Sequence, residues 1–192
     1  MIRALYNWTL RLAQHPRAIW ALAFVAFIES SVFPIPPDIL MIPMIIAAPR
    51  RAFLIAAVAT VSSVLGGLFG YWIGAVVFES VGQPVLAFYG KEAYFDEFAT
   101  NYNAWGAWAV LIAGVTPFPY KVITILSGST GLNLGVFLVA SFFARGLRFF
   151  LVAALLWKFG APIRDFIERR LGLMFTLAMA LLIGGFYAVK FL

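Results

Sequence analysis

Long uncharged runs broken at a few points by proline or by charge set the pattern of this chain. Residues 52–78 (AFLIAAVATVSSVLGGLFGYWIGAVVF) carry no charged side chain and exceed the roughly 20 residues a bilayer-spanning helix needs. Residues 171–189 are likewise uncharged, and 134–157 are long enough to span although Arg145 and Arg148 lie inside them. These three segments are expected to be full transmembrane helices. Residues 1–16 alternate differently. Arg3, Asn7, Arg11 and Gln14 share one helical face, and Ile2, Leu5, Trp8 and Leu12 share the other, the pattern of a helix lying in the interface. Residues 79–104 hold Glu79, Lys91, Glu92, Asp96 and Glu97, with Phe95, Phe98, Tyr102 and Trp105 at helical spacing. A second interfacial helix is expected there.

Two further apolar stretches, 18–48 and 105–127, are interrupted by prolines. Pro34, Pro36 and Pro37 break the first, and Pro117 and Pro119 the second. Proline lacks the backbone N–H and ends the helix before it. The freed carbonyls cannot face lipid, so such breaks must be buried in protein or line a wet cavity. Each stretch is therefore expected to be a re-entrant helical hairpin. The nine residues from Val32 to Leu40 align with Val115 to Ile123 at a constant offset, sharing the valine and two prolines. One crossing separates the hairpins, which makes them an inverted repeat, an architecture that puts a site near the membrane midplane. The expected fold is an all-α integral membrane protein in one domain, with two inverted re-entrant hairpins, about three full spans and interfacial helices.

Composition fixes the solvent. Of 192 residues, 64% are apolar and only 11% charged, where a soluble domain carries about 25% charged residues. Soluble enzymes and nucleic-acid binders are excluded; the +6 charge flanks apolar segments instead of forming a basic stripe. There is no cysteine and one histidine, His15, which removes disulfides, thiolate metal sites and paired-histidine chemistry. No metal or cofactor is expected, and no catalysis. A basic residue before an apolar run invites a signal-peptide reading, but no A-x-A-like site follows and Glu29 interrupts the stretch. With the N-terminus cytoplasmic, the inside collects Arg3, Arg11, Arg17, Arg50, Arg51, Lys158, Arg164, Arg169 and Arg170, and the outside only Lys91 and Lys190. That asymmetry follows the positive-inside rule.

Five charges fall at membrane depth: Glu29, Asp38, Lys121, Arg145 and Arg148. Each costs about 2.5–3.5 kcal/mol at a helix centre on insertion scales, so pairing, hydration or a function is required. Glu29 can titrate during transport or partner Lys121 or Arg145. Asp38 follows Pro37 at a half-helix start, where a carboxylate suits the dipole. Lys121 sits at the equivalent place in the second hairpin, where a cation opposes the dipole and calls for an anion nearby, either a carboxylate or a ligand phosphate. Arg145 and Arg148 share a helical face and suit bidentate phosphate contact, or pair internally with Glu29 and Asp38. Two negative charges against three positive leave one cation over. Gly66, Gly70 and Gly74 line one face of 52–78 and point to close helix packing, of which homo-oligomerisation is one form.

Glu29 with Pro34-Ile35-Pro36-Pro37-Asp38, then Gly66 through Gly70-Tyr71 to Gly74, then Thr116-Pro117-Phe118-Pro119-Tyr120-Lys121 and Ser127-Gly128, together resemble the DedA family, bacterial relatives of the SNARE-associated Golgi (VTT-domain) proteins. The likeness covers roughly residues 20–160 and is strongest to a small branch with T-P-F-P-Y-K in the second hairpin. It implies a bacterial inner-membrane protein that moves lipid between leaflets, undecaprenyl phosphate or phosphatidylethanolamine, often with dependence on the proton-motive force. It implies Glu29 and Asp38 as the family's acidic pair. The family's R-F-x-P-x-x-R pattern is met only in part, since Lys121 takes the second basic place and Val115 or a neighbour replaces the first. The resulting expectation is a flippase- or scramblase-like transporter whose partners are membrane lipids and protons. Lys121, Arg145 and Arg148 would hold phosphate, and Glu29 and Asp38 would couple protons or gate. The alternatives are a proton- or ion-coupled exporter of small cations and a non-transporting assembly factor.

Overall fold

In the computed structural model the described residues are 17–33, 36–116 and 118–189, with side chains described through Gly160 and at Pro162. The expected interfacial helix 1–16 and the hairpin-break residues Pro34 and Pro117 lie outside them. Helices make up nearly all of the rest, and no strand occurs among the described residues. Helices α1 (Ala18–Ser31) and α2 (Asp38–Ala47) form the first hairpin. A short 3-10 turn, Pro49–Arg51, leads into α3 (Ala52–Val77). A π-turn, Phe78–Gly82, and α4 (Gln83–Tyr89) extend that helix. The second hairpin is α5 (Glu92–Val115) with α6 (Tyr120–Ser129), and α7 runs from Leu134 to Val189.

Three boundaries differ from the sequence expectation. The interfacial helix expected over 79–104 is divided at Gly90, which takes the left-handed φ of 62° that ends α4. Its second half runs on without a break into the first arm of hairpin two, since no proline or left-handed residue falls between Glu92 and Val115. The spans expected at 134–157 and 171–189 are joined in one 56-residue helix. Pro162 lies within that helix, and the arginines and glutamate between the two apolar runs are good helix formers.

The packing exchanges the two hairpins between the two long helices. Helix α1 runs parallel to α3, with Phe27 against Gly66 and Ser30 against Gly70. Helix α2 lies on α7. The second hairpin does the reverse: α5 runs alongside α7, with Gly114 against Ala144, and α6 lies on α3, with Ile125 against Gly74. Helices α3 and α7 are antiparallel, since Ser63 meets Arg145 while Phe53 stacks with Phe150 and Trp157. Helices α1 and α2 therefore occupy places equivalent to those of α5 and α6 in a pseudo-twofold arrangement. One apolar core gathers Leu22, Met41, Ile45, Ala56, Phe149 and Ala153 from α1, α2, α3 and α7. The other gathers Val110, Ala113, Ile123 and Phe137 from α5, α6 and α7.

The glycine stripe Gly66, Gly70 and Gly74 is spent inside the chain. A Cβ on Gly66 would stand 2.0 Å from the Phe27 carbonyl oxygen, and one on Gly74 2.0 Å from that of Ile125. The stripe therefore seats α1 and α6 on α3. Meanwhile Leu65, Trp72, Trp108, Ile112, Phe143 and Leu147 are exposed around the outside. Soluble proteins rarely expose so continuous an apolar surface. α3 and the first part of α7 are long and apolar enough to cross a membrane, whereas α1, α2 and α6 have 14, 10 and 10 residues, short of the roughly 20 a span requires.

Candidate functional site

The prolines create a specific deficit of hydrogen-bond donors. In a continuous helix the N–H of residue i+4 would serve each carbonyl. Ser30 O would look to position 34 and Val32 O to position 36, and both are proline. Side chains of the second hairpin take their place. Thr124 Oγ1 is 3.0 Å from Ser30 O, and Lys121 Nζ donates to Val32 O at 3.3 Å. At the other break, Arg148 Nη1 donates to Thr116 O at 3.2 Å. The two hairpin ends are thus tied to each other and to α7, level with Gly70 in the second half of α3.

Four of the five membrane-depth charges form two ion pairs. Arg145 Nη2 donates to Glu29 Oε2 at 2.8 Å, and Arg148 Nη2 to Asp38 Oδ2 at 2.8 Å. The two pairs differ in setting. The Arg145 side chain is fully buried and Glu29 14% exposed, while Arg148 and Asp38 are each 22% exposed. Asp38 opens α2 as expected, but Pro37 is the capping residue and the carboxylate makes no cap hydrogen bond. Its partner is Arg148. Lys121, the second residue of α6, has no carboxylate within ion-pair distance among the described residues and is only partly buried. The cation left over in the sequence arithmetic is this lysine.

Around the buried pair the structure adds residues the sequence reading passed over. Arg145 Nε donates to Ser63 Oγ at 2.6 Å, Ser63 and Ser30 share a hydrogen bond at 2.6 Å, and Ser30 Oγ is 3.1 Å from Glu29 Oε2. One consistent direction runs Arg145 to Ser63 to Ser30 to Glu29, closing a ring on the ion pair. The guanidinium carbon also stands 4.8 Å from the Tyr120 ring centroid and 4.6 Å from that of Phe149, favourable cation–π geometry. Tyr120 OH in turn bonds Ser141. The third arm, Nη1, is buried without a hydrogen-bond partner among the described residues. Hydroxyls beside Glu29 and halfway along an uncharged helix were the available signal for Ser30 and Ser63.

The expected phosphate ligands are therefore brought together unevenly. Arg145 and Arg148 face carboxylates, Lys121 faces a carbonyl, and Glu29 and Asp38 sit on different arms of hairpin one. Of the hairpin prolines, Pro37 is buried and precedes α2, and Pro119 precedes α6 with an extended ψ of 101°. Pro36 is exposed, and its carbonyl accepts from Ile39 N at 3.2 Å.

The model of the VTT domain matches residues 35–158, which takes in α2, α3, the second hairpin, α7 as far as Lys158 and all five charges except Glu29. An uncharacterized protein of Haemophilus influenzae is 36% identical over 168 residues, covering 85% of this chain and 87% of the relative. An uncharacterized protein of Histophilus somni is 38% identical over 168 residues, with the same coverage. No solved structure matches. The helical architecture, its apolar exterior and the domain match agree, and the chain belongs to the VTT domain family, the DedA group of membrane proteins.

Proposed function

We propose that this protein carries a phosphate-bearing lipid, such as undecaprenyl phosphate or a phospholipid, between the leaflets of the bacterial inner membrane. The head group would pass the point where the two proline-broken hairpins meet. One observation carries the reading: among the described residues Lys121 stands at that point with only the Val32 carbonyl as partner, while Arg145 and Arg148 are neutralised. Glu29 and Asp38 against Lys121, Arg145 and Arg148 leave one positive charge, which suits a phosphate. In this reading both hairpins are re-entrant, each entering and leaving on one side with the polar first half of α5 outside the bilayer, and the N-terminus is cytoplasmic.

In this reading proton coupling acts through the ion pairs. A proton on Asp38 or Glu29 removes the negative partner of Arg148 or Arg145, and the freed guanidinium can then take a phosphate with two parallel hydrogen bonds. Loss of the proton restores the ion pair and expels the anion. Arg148 with Asp38 is the more exposed pair, so it exchanges first. Arg145 with Glu29 then acts as the deeper gate.

Transfer of a fluorescent phospholipid in proteoliposomes tests the reading. Lys121→Ala is expected to abolish transfer, Lys121→Arg to retain it, and Glu29→Gln to abolish it. Undiminished transfer in both Lys121→Ala and Glu29→Gln overturns the proposal.

A further inference from the structure

Away from the hairpin ends, an open apolar groove of about 450 Å³ runs between α1 and α3, lined by Trp20, Ala23, Ala57, Val61 and Ser62 among others. Because α1 and α3 are parallel, both helices start at the same end of this groove. Those starts carry Arg17, Arg50 and Arg51, all exposed. Arg17 precedes α1, and Arg50 and Arg51 form the turn that leads into α3. Trp20 is 75% exposed, one turn beyond Arg17 and about two beyond Arg51, a spacing that would let its indole sit below a lipid head group held at the arginines.

The internal repeat supplies a comparison within the same molecule. The equivalent groove between α5 and α7 holds about 470 Å³ and is lined by Ala107, Leu111, Val136, Val139 and Phe143. Its mouth, at the start of α7, has Asn103 and Asn133 and no arginine or lysine among the described residues, and Asp96 and Glu97 lie less than two turns before Asn103 on α5. Two grooves of one shape thus differ in the charge at their mouths.

We infer that the α1–α3 groove is a binding site for one anionic phospholipid, its phosphate at Arg50 and Arg51 and an acyl chain along Trp20, Ala23 and Val61. A lipid is the occupant that the chemistry selects. It alone joins an anion to an apolar chain long enough to follow the groove, and the surrounding bilayer supplies it. A zwitterionic lipid fits the groove as well but gains less at the mouth. Each arginine near the membrane surface is expected to favour an anionic lipid by about fivefold. This site is separate from the hairpin ends, and its occupancy does not depend on transport.

The test uses the full chain in phosphatidylcholine vesicles with increasing phosphatidylglycerol brominated on its acyl chains. Trp20 is kept and the other five tryptophans are replaced by Phe. Trp20 quenching is expected to report a preference for brominated phosphatidylglycerol over brominated phosphatidylcholine of at least about fivefold. The preference should fall at least about fivefold in Arg50→Gln/Arg51→Gln. A chain retaining only Trp108, beside the sister groove, should show no preference. Lys121→Ala should leave the Trp20 preference intact, which separates this site from the transport reading. Equal quenching of Trp20 by both lipids overturns the inference, as does a preference unchanged by Arg50→Gln/Arg51→Gln. Quenching by neither lipid, as when another part of the chain fills the groove, also overturns it.

Discussion

Arg148 joins Asp38 at 2.8 Å with one arm of its guanidinium, while its other arm reaches the Thr116 carbonyl at 3.2 Å. A single side chain on α7 therefore fastens the start of α2 in the first hairpin to the break in the second. Both partners of the ion pair are about one-fifth exposed, so water still reaches them and the Coulombic gain is moderate. Asp38→Asn is expected to lower stability by about 1–2 kcal/mol, seen as a reduced Tm in detergent. Asp38→Arg combined with Arg148→Asp should recover part of that Tm but not the contact to Thr116 O, because an aspartate cannot donate. Full recovery would mean that the bond to Thr116 contributes nothing.

The buried pair should behave differently. Arg145 has no exposed side-chain surface, and removing one partner of a buried pair leaves an uncompensated charge that costs about 3–5 kcal/mol. Glu29→Gln should therefore destabilise more than Asp38→Asn, although both remove one negative charge. Thermal unfolding of the two variants side by side decides this. Equal shifts would contradict the difference in burial.

Ser63→Ala tests the serine ring without altering charge. The change removes the acceptor of Arg145 Nε and leaves that N–H buried beside an Nη1 that already has no partner among the described residues. A loss of about 1–3 kcal/mol is expected. Ser62→Ala, one residue away and lining the lipid-facing groove, should cost less than half of that. Paired denaturation curves in one detergent compare them, and the reverse order would mean that Ser63 is not holding the guanidinium.

Much of this arrangement was legible in the sequence because the bilayer makes few solutions available. Uncharged length marked α3, and proline marked both hairpin breaks, since a missing N–H has the same consequence wherever it occurs. The surplus cation was also legible, because charge can be counted without coordinates. Pairing could not be counted in that way. Arg145 and Arg148 share one helical face, and only the packing of α1 on α3 and of α2 on α7 sends one to Glu29 and the other to Asp38. The helix ends at 78–104 were hidden for another reason. Polar residues there resemble a separate interfacial segment, but backbone continuity depends on Gly90 and not on polarity. Glycine spacing suggested close packing without naming the surface, and Phe27 and Ile125 are remote in sequence from Gly66 and Gly74.

Those glycines give the sharpest steric prediction. A methyl group on Gly74 would lie 2.0 Å from Ile125 O, and its other near neighbours are also backbone atoms, which cannot rotate away. Gly74→Ala must push α6 off α3, and Gly66→Ala must push α1 off the same helix. Overpacking of this kind costs typically about 1–3 kcal/mol and occasionally more, and the rigid backbone on both sides puts these two at the upper end. Gly67→Ala is the control. Its Cβ would meet the Thr124 methyl at 3.3 Å and side-chain atoms of Tyr120 and Phe137 at 3.4 and 3.5 Å. A helical Gly→Ala exchange also gains up to about 1 kcal/mol in propensity, so Gly67→Ala should be near neutral. Lipid transfer should fall in Gly66→Ala and Gly74→Ala, since each displaces a hairpin arm that supports Lys121 or its partner Val32, and it should persist in Gly67→Ala. Size-exclusion profiles should be alike for all three, because the stripe is occupied within one chain. A change of oligomeric state in Gly66→Ala or Gly74→Ala, with transfer retained, would reassign the stripe to contacts between copies.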